Sequence, residues 1–375
     1  MAVKEIIRNK KYKIDVPLGY NGNKRIRHTE TFYGGKKDAV IRENELKLSI
    51  KNRTYINKNK ITVEQLFKEW LEYSKPIWSP KTYVANEHWV ENINKNIGHI
   101  HLLDLNVKVL EEFYNELRTT TNYSDKTIQH HYTIISTALN KAVVWGYILN
   151  NPNEHIEKPK VKRKEIECYS PEEVDILIKV IKNEPIKYQA LIMLALDSGA
   201  RRGELTGLTW EDIDFKESTI KINKTTQYVK EYGIFEKSTK TYTSNRLIYI
   251  SNTTLDLLRR YKKEQLQSKM RLGDKWENSN RVFTNMYGGN MHPDTPSQIL
   301  DRIIKKYNLK RITFHGLRHT SISLQISSGI QAQIISKRAG HSSVTVTHNT
   351  YSHFFDTEFK DVANKMDSIL STKIV

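Results

Sequence analysis

The amino-acid sequence predicts a multidomain protein that is mainly α-helical and contains small β-sheets. Its 375 residues exceed the length of one ordinary domain. The hydrophobic periodicity changes along the chain, from short β-type runs through regular helical spacing to a mixture of both. A hydrophobic content of 38% and an aromatic content of 10% are sufficient for packed cores. We therefore expect an N-terminal three-stranded sheet with one helix, a helical domain and a larger α+β domain.

The first predicted domain, residues 1–58, contains three short strands followed by a helix. Runs of β-branched and aromatic residues predict the strands, and a Gly- and Asn-rich segment at 19–23 predicts a turn; the strands are Val3–Ile7, Tyr12–Leu18 and Arg25–Phe32. Basic side chains recur here, and we select five as candidate DNA contacts: Lys11, Lys13, Lys24, Arg25 and Arg27. A basic β-ribbon can enter the DNA major groove, although exposed lysines also protect the edges of a small sheet from aggregation.

The second predicted domain, residues 61–155, is helical throughout. Helix N-termini are indicated by a capping box at Thr62 and Gln65, by Ser79 before a proline, and by Ser124. The last helix has one apolar face, and its opposite face carries residues suited to phosphate contacts, His130, Thr133, Thr137 and Lys141. We select His130, Thr133 and Lys141 as candidate DNA contacts. A face that is merely solvated would carry the same residue types.

A linker at residues 156–168 separates this domain from the third, residues 169–375. Pro152, shortly before this range, and Pro159 within it interrupt the helical spacing, and a basic run includes Lys162 and Arg163, which we also select as candidate DNA contacts. A nuclear localisation signal is the competing interpretation of such a run. Ser170, Pro171 and Glu173 then form the start signal of a new helix.

Charge and composition limit the protein's partners and compartment. The chain has 60 Lys and Arg against 42 Asp and Glu, a net charge of +18, which favours nucleic acid or an anionic membrane surface over a neutral partner. A solvated basic surface is the simpler alternative. No apolar run is long enough to cross a bilayer. The N-terminus lacks a signal-peptide pattern, and the single Cys168 excludes an internal disulfide and cysteine-based zinc fingers, so we expect a cytoplasmic protein.

The third domain contains four features that suggest one phosphate-handling site. An apolar helix ends at Gly199, and Arg201 begins the next helix, a favourable place for an anion. Two β-rich stretches follow, Thr219–Val229 and Arg246–Ile250, separated by a polar stretch that contains Lys237 and Lys240. A β-hairpin at this place would carry a lysine on a mobile turn, from which its charge could reach into a groove.

The third and fourth features add histidines, a second arginine and a tyrosine. On a helix that begins near Thr313, His315 and Arg318 are three residues apart and His319 is one further, so they share a face. His341 follows a helix end at Ala339-Gly340, and Tyr351 lies ten residues later. Together, these residues supply cations for the nonbridging oxygens, proton donors and an oxygen nucleophile, as phosphoryl transfer through a phosphotyrosine requires.

At these residues the sequence resembles the tyrosine recombinase family, the phage-type and conjugative-transposon integrases. The resemblance covers essentially the whole chain. Its motifs are specific, because Gly-Ala-Arg-Arg-Gly-Glu-Leu, His-Gly-Leu-Arg-His, Gly-His and Asn-Thr-Tyr-Ser-His occur in the order and spacing of the family. The resemblance implies an arm-binding N-terminal domain, a helical core-binding domain and a catalytic domain of the tyrosine recombinase type.

The resemblance also implies a role for each of six residues. Arg201 and Arg318 would clamp the scissile phosphate, and Tyr351 would attack it. Lys240 would protonate the departing 5′-oxygen, His315 would exchange a proton with the tyrosine or hold the phosphate, and His341 would hydrogen-bond the phosphate. A phenol with an ordinary pKa near ~10 needs a base or a strong cationic field to attack at neutral pH. Neither a cofactor nor a metal is expected.

Several assignments have close competitors in the sequence. Arg202 adjoins Arg201, but on a helix the two side chains would point about 100° apart, and the family register selects Arg201. Lys237 competes with Lys240, which we prefer because its six-residue spacing to Arg246 fits the family hairpin. We expect His319 and His353 to be supporting or structural residues.

The resemblance implies a site-specific DNA recombinase that integrates and excises a mobile element through a Holliday junction. Its partners would be double-stranded DNA at core-type and arm-type sites, a homotetramer on that DNA, and accessory excision or DNA-bending proteins. An amphipathic tail beyond Tyr351 would pack on a neighbouring protomer or on its own domain. Alternatives are a type IB topoisomerase-like enzyme, a noncatalytic DNA-binding regulator, and a metal hydrolase that uses His315, His319 and His341.

Overall fold

The computed structural model describes residues 3–8, 10–21, 24–51, 61–161, 166–238, 245–356, 366–367 and 370–371, and for residues 19–21, 24, 26, 238 and 352–356 it describes the backbone alone. The chain forms two compact units, Met1–Arg163 and Lys164–Val375. Within the described ranges, no helix has the length and apolar character needed to cross a membrane. The finer domain bounds at 58, 61, 155 and 169 stay predictions.

The N-terminal part of the first unit is an antiparallel sheet with one covering helix. The elements are β1 (Val3–Ile7), β2 (Lys11–Asn21), β3 (Lys24–Tyr33) and α1 (Lys36–Lys51), and the strand order is β1-β2-β3. Alternate residues of β2, Tyr12, Ile14 and Val16, are buried, because side chains of a strand point to opposite faces in turn. Leu46 of α1 packs on this apolar face. The alternating register therefore places Lys11, Lys13 and Arg27 on the other face.

The rest of the first unit is helical, as the sequence predicts. Its helices are α2 (Val63–Ser74), α3 (Pro80–Ile97), α4 (Val107–Thr119) and α5 (Asp125–Val144). The capping box of Thr62 and Gln65 forms, and Ser79 and Ser124 accept backbone hydrogen bonds at their helix starts. Each cap satisfies amide groups that would otherwise have no partner in the first helical turn.

In its described residues, the second unit contains helices and two small sheets around a large hydrophobic core, and a smaller hydrophobic cluster surrounds Tyr351. The capping box predicted at Ser170 and Glu173 is present. The elements are α6 (Pro171–Ile181), α7 (Ile186–Ser198), α8 (Arg202–Gly207), β4 (Ile213–Asp214), β5 (Thr219–Ile222), β6 (Lys224–Val229), β7 (Gly233–Ser238), β8 (Arg246–Tyr249), α9 (Asn252–Leu272), α10 (Thr295–Tyr307), α11 (Phe314–Ser327), α12 (Ala332–Ala339) and α13 (Val344–Asp356).

The strands of this unit correct one expectation. The predicted single stretch Thr219–Val229 is two strands in two different sheets: β5 pairs with β4 and β8, whereas β6 pairs with β7. The change of sheet occurs at Asn223, a residue with a low strand propensity. Lys237 consequently lies in strand β7 opposite Thr225, not on the predicted mobile turn.

Candidate active site

Arg201 lies where the chain leaves the buried helix α7. Helix α7 ends at Gly199, whose φ of 61° is a left-handed conformation that glycine adopts without steric cost. The chain reverses there, and Arg201 becomes the N-cap residue of α8. One terminal nitrogen of its guanidinium donates to Glu204 Oε1 at 2.9 Å and the other to the Gly340 carbonyl at 2.9 Å. The side chain is still 41% exposed, so an anion could reach it.

Arg318 approaches the same place from helix α11. It is 3% exposed, and its Nη1 donates to the carbonyls of Gly199 and Ala339 at 2.7 and 2.8 Å. Burial, followed by the nearby charge of Arg201, lowers its pKa to about 10. Arg318 therefore stays a cation at neutral pH and is fixed in direction before any ligand is bound.

Glu204 and Arg246 form a buried ion pair beneath these arginines, and sequence reasoning missed it. Glu204 is 3% exposed and accepts hydrogen bonds from Nη1 and Nη2 of Arg246 at 3.1 and 2.8 Å. Burial acts to raise the pKa of Glu204, but its interactions with Arg246 and Arg201 outweigh burial and hold that pKa below the ordinary value. The two residues lie 42 positions apart, and no local sequence pattern joins them.

The end of helix α12 anchors three arginines through three consecutive carbonyl groups. The carbonyl of Arg338 accepts from Arg246 Nε at 2.7 Å, that of Ala339 from Arg318 and that of Gly340 from Arg201. The last carbonyls of a helix have no partner within the helix and carry partial negative charge. This helix end therefore positions all three guanidiniums.

His341 follows directly and joins the same pocket. Its Nδ1 hydrogen-bonds to the Thr347 hydroxyl at 2.8 Å. Burial, then Arg318, Arg201 and Arg246, lowers the pKa of His341 to about 4. At neutral pH the ring is therefore uncharged, and its Nε2 can act as a neutral hydrogen-bond donor or acceptor.

Two histidines of α11 and the tyrosine of α13 form a line of rings in edge-on and tilted contact. The ring centroids of His315 and His319 are 4.6 Å apart at an interplanar angle of 84°, and those of His319 and Tyr351 are 5.6 Å apart. His319 Nδ1 lies 2.5 Å from Tyr351 Oη. Partial burial, Arg318 and Arg201 lower the pKa of His315. The sequence analysis expected a supporting or structural role for His319, and the structure places its ring in contact with Tyr351.

Tyr351 is held inside the second unit. It is 1% exposed and packs with Ile322, Ile326 and Ile335. Its backbone (φ −121°, ψ 22°) interrupts the helical geometry of α13, which turns the side chain relative to the preceding residues. Burial raises the pKa of the phenol, and the charge of Arg318 only partly opposes this.

The remaining candidates of the second unit lie apart from this pocket or outside the description. Arg202 pairs with Asp294 Oδ1 at 2.7 Å and donates to Ser297 Oγ at 2.8 Å, so it is engaged with the start of α10. Lys240 lies outside the described residues, as do the side chain of His353 and most of the predicted tail.

The candidate DNA contacts of the N-terminal sheet lie on its exposed face where they are described. Lys13, Arg25 and Arg27 are exposed. Lys11 Nζ lies 5.3 Å from the centre of the Tyr33 ring, and Arg27 Nε pairs with Asp15 at 2.7 Å, so two of these charges already have local partners. The side chain of Lys24 and all of Lys162 and Arg163 lie outside the described residues.

The candidate contacts on helix α5 also have partners within their own domain. The His130 ring stacks on Trp89 with centroids 5.7 Å apart. The Thr133 hydroxyl donates to the Gln129 carbonyl at 2.8 Å, and Lys141 Nζ lies 3.9 Å from the Tyr73 ring centre. These contacts fix the side chains without removing His130 or Thr133 from solvent.

The pocket as a whole can bind an anionic phosphate and place a phenol beside it. Fixed guanidiniums can hold nonbridging oxygens and stabilise the charge that develops on them, and neutral imidazoles can accept or return protons. Over the described ranges, no group of three or more His, Cys, Asp or Glu side chains is arranged to hold a metal ion. The structure thus brings together Arg201, His315, Arg318, His341 and Tyr351.

Comparison with known proteins gives relatives along most of the chain. An integrase of the element ICEBs1 from Bacillus subtilis (strain 168) is 28% identical over 99% of this chain and 100% of its own length. A XerC-like tyrosine recombinase from Caldanaerobacter subterraneus subsp. tengcongensis is 27% identical over 91% of this chain and 92% of its own length.

Solved structures share the fold at low sequence identity. The Tn1549 transposon integrase in complex with transposon right end DNA matches with a TM-score of 0.70 and 20% identity, over 81% of this chain and 100% of that chain. A lambda integrase tetramer bound to a Holliday junction matches with a TM-score of 0.57 and 17% identity, over 90% of this chain and 91% of that one.

Family models match both units. The model described as phage integrase, N-terminal SAM-like domain, matches residues 62–118. The model described as phage integrase family matches residues 168–358, half of the chain, and these residues include every element of the pocket. The chain therefore belongs to the phage integrase family and is a tyrosine-type site-specific DNA recombinase.

Proposed function

We propose that Tyr351 is the nucleophile of this recombinase and that Arg201 and Arg318 hold the scissile phosphate. The observation that carries the proposal is the convergence of the two guanidiniums on the end of α12, with His341 next in the chain and Tyr351 on the adjoining helix. Preorganised cations aimed at the position of developing charge supply the largest part of such catalysis.

The reaction conserves the energy of the phosphodiester. The Tyr351 oxygen attacks phosphorus, a phosphotyrosyl bond forms, and the bond from phosphorus to the 5′-oxygen breaks. Lys240 protonates the departing 5′-oxygen, in the role that the family resemblance gives it. The covalent intermediate is then resolved by a 5′-hydroxyl of another strand, so rejoining needs no nucleotide cofactor.

The relatives support the wider reaction. Proteins similar to this chain are integrases of a phage, a transposon and the element ICEBs1, and one similar structure is a tetramer on a Holliday junction. We infer that four copies of this chain exchange strands between two DNA sites during integration and excision of a mobile element. Residues 61–155 would bind the core-type site and residues 1–58 an arm-type site, with accessory proteins setting the direction.

Covalent trapping tests the nucleophile. The full-length protein is incubated with nicked DNA that carries the end sequence of its element, with EDTA present, and denatured complexes are examined for a DNA–protein adduct. We expect the wild type and the matched control Tyr249→Phe, which changes an exposed tyrosine of β8, to form the adduct, and Tyr351→Phe to form none. An adduct that persists in Tyr351→Phe would assign the reaction to another tyrosine.

A further inference from the structure

We propose that His319 is the proton acceptor for Tyr351: its Nδ1 holds the phenol in the buried position and takes the phenolic proton as the oxygen attacks the scissile phosphate. This assignment gives the role to the neighbour of Arg318, where the family resemblance implied His315. It rests on the proposed function and adds to it the residue that activates the nucleophile.

The geometry of one helix supports this role. His319 directly follows Arg318 on α11, so the same helical turn carries a phosphate-holding cation and the imidazole that contacts the nucleophile. The 2.5 Å separation of His319 Nδ1 and Tyr351 Oη is at the short end of the range for hydrogen bonds. His315 packs edge-on against His319 and thereby limits the rotation of that ring. His319 is therefore both in contact with the reacting oxygen and fixed in orientation.

The electrostatic surroundings make the proton transfer dependent on DNA. The groups that face His319 are His315, Arg318, His341 and Tyr351; burial and the first three lower the pKa of His319 to about 4. The ring is therefore neutral at pH 7 and can accept the hydrogen bond, while the buried phenol keeps its proton. A scissile phosphate against Arg318 would bring negative charge, which raises the pKa of a histidine. His319 would therefore become a stronger base when the scissile phosphate is bound.

Each step of the proposed transfer balances. In the forward direction the proton moves from Tyr351 Oη to His319 Nδ1, the bond from the tyrosine oxygen to phosphorus forms, and the 5′-oxygen leaves with a proton from Lys240. In the reverse direction the 5′-hydroxyl gives its proton to the neutral Lys240 amine as its oxygen attacks phosphorus. The bond from phosphorus to the tyrosine oxygen breaks, and the His319 imidazolium returns its proton to that oxygen. No oxidant, reductant or further reactant is needed.

The test uses His319→Gln in the full-length protein and measures single-turnover formation of the covalent adduct. Loss of a general base reduces a rate by roughly 10²- to 10⁴-fold, and we expect a loss in that range. In the wild type the rate should rise with pH and then level off. In the variant it should continue to rise, because the phenol itself must ionise.

Rescue by a more acidic nucleophile separates proton transfer from a structural effect. A fluorinated tyrosine at position 351 should restore part of the adduct-formation rate that His319→Gln loses. The same substitution should restore a smaller part of the rate that the matched variant His315→Gln loses.

A DNA substrate with sulfur in place of the departing 5′-oxygen tests the other proton. It should rescue Lys240→Ala and leave His319→Gln slow, because a thiolate leaves without protonation. Rescue confined to His315→Gln would overturn the assignment.

A second substitution keeps the test valid if the first variant does not fold. His319→Asn places an acceptor oxygen near the position of Nδ1, so it can hold the phenol without taking its proton, and we expect it to be as slow as His319→Gln. A wild-type rate in either folded variant would contradict the proton transfer while leaving Tyr351 as the nucleophile. Absence of any adduct with the wild type, or its persistence in Tyr351→Phe, would contradict the proposed function itself.

Discussion

The carboxylate of Glu204 bridges Arg246 and Arg201. It accepts two hydrogen bonds from the Arg246 guanidinium, at 3.1 and 2.8 Å, and two from Arg201, at 2.9 Å from the side chain and 2.8 Å from the backbone N–H. Glu204 and Arg246 are almost fully buried, whereas Arg201 reaches the open side of the pocket. A buried carboxylate is costly unless it is paired and hydrogen-bonded. The pairing therefore couples the stability of the second unit to the orientation of a phosphate-binding residue.

Replacing this carboxylate should destabilise the protein. Glu204→Gln keeps the side-chain shape but removes the negative charge that Arg246 faces in the interior, and removal of one partner of a buried ion pair costs about 3–5 kcal/mol. We expect a lower free energy of unfolding in urea and slower adduct formation. The control Glu217→Gln, at an exposed position, should change the unfolding free energy by less than about 0.5 kcal/mol. Equal effects of the two variants would contradict the importance of the pair.

The two adjacent arginines should differ in their effects. Lysine cannot reproduce the two-pronged contact of Arg201 with Glu204 and the Gly340 carbonyl, so Arg201→Lys should slow adduct formation by roughly 10²- to 10³-fold. Arg202→Lys alters contacts with Asp294 and Ser297 and should stay within about threefold of the wild type. Single-turnover cleavage measures both. A reversed order would place Arg202 in the catalytic pocket.

Gly340 should be intolerant of a side chain. Its φ of 69° is strained for other residues, and a Cβ there would lie 2.8 Å from Arg246 Nη1. Gly329 has a similar φ of 74°, but an added Cβ would meet no atom within 4 Å. We expect Gly340→Ala to lower the melting temperature more than Gly329→Ala and to reduce adduct formation, since it disturbs the α12 end. Equal melting temperatures of the two alanine variants would show that the close approach of residue 340 to Arg246 does not affect stability.

Stability should decline on mild acidification. The folded state lowers the pKa of His319 and His341 to about 4 from the ordinary 6.5. Between these values the unfolded chain binds more protons than the folded chain, so the free energy of unfolding falls as pH falls through this window. Urea unfolding at pH 7, 6 and 5 measures the slope. His341→Gln should reduce that slope, and His88→Gln, at an exposed position, should leave it unchanged.

The N-terminal sheet should bind DNA through its basic face. Removing a lysine that neutralises one DNA phosphate makes the slope of log affinity against log salt shallower by about 0.9. Lys11→Gln combined with Lys13→Gln should therefore flatten this slope for DNA that contains arm-type sites and leave cleavage at the core site intact. Lys95→Gln with Lys108→Gln removes the same charge from the helical part as a control. A slope that both pairs change equally would indicate a general effect of net charge.

Local signals account for the parts of the fold that sequence reasoning predicted. The caps at Thr62, Ser124 and Ser170 depend on residues three positions away, so they can be read directly from the chain. The position of His315, Arg318 and His319 on one face of α11 also follows from helical spacing. These elements are confirmed because nearby residues alone determine them.

Contacts between distant residues account for what was missed. The pairing of Glu204 with Arg246 and the three carbonyls at the α12 end exist only once several elements have packed together. Strand β7 was missed because its glycine and charged residues resemble a loop, although its pairing with β6 stabilises it. The proximity of His319 to Tyr351 spans 32 residues and likewise has no local pattern.

The shared anchoring of Arg201, Arg246 and Arg318 on one helix end makes the pocket a single mechanical unit. A shift of α12 by the length of one hydrogen bond would remove one anchor from each of the three guanidiniums at once, because these acceptors are consecutive carbonyls at the end of one helix. A displacement of this helix would therefore change the positions of the three cations together and not one at a time.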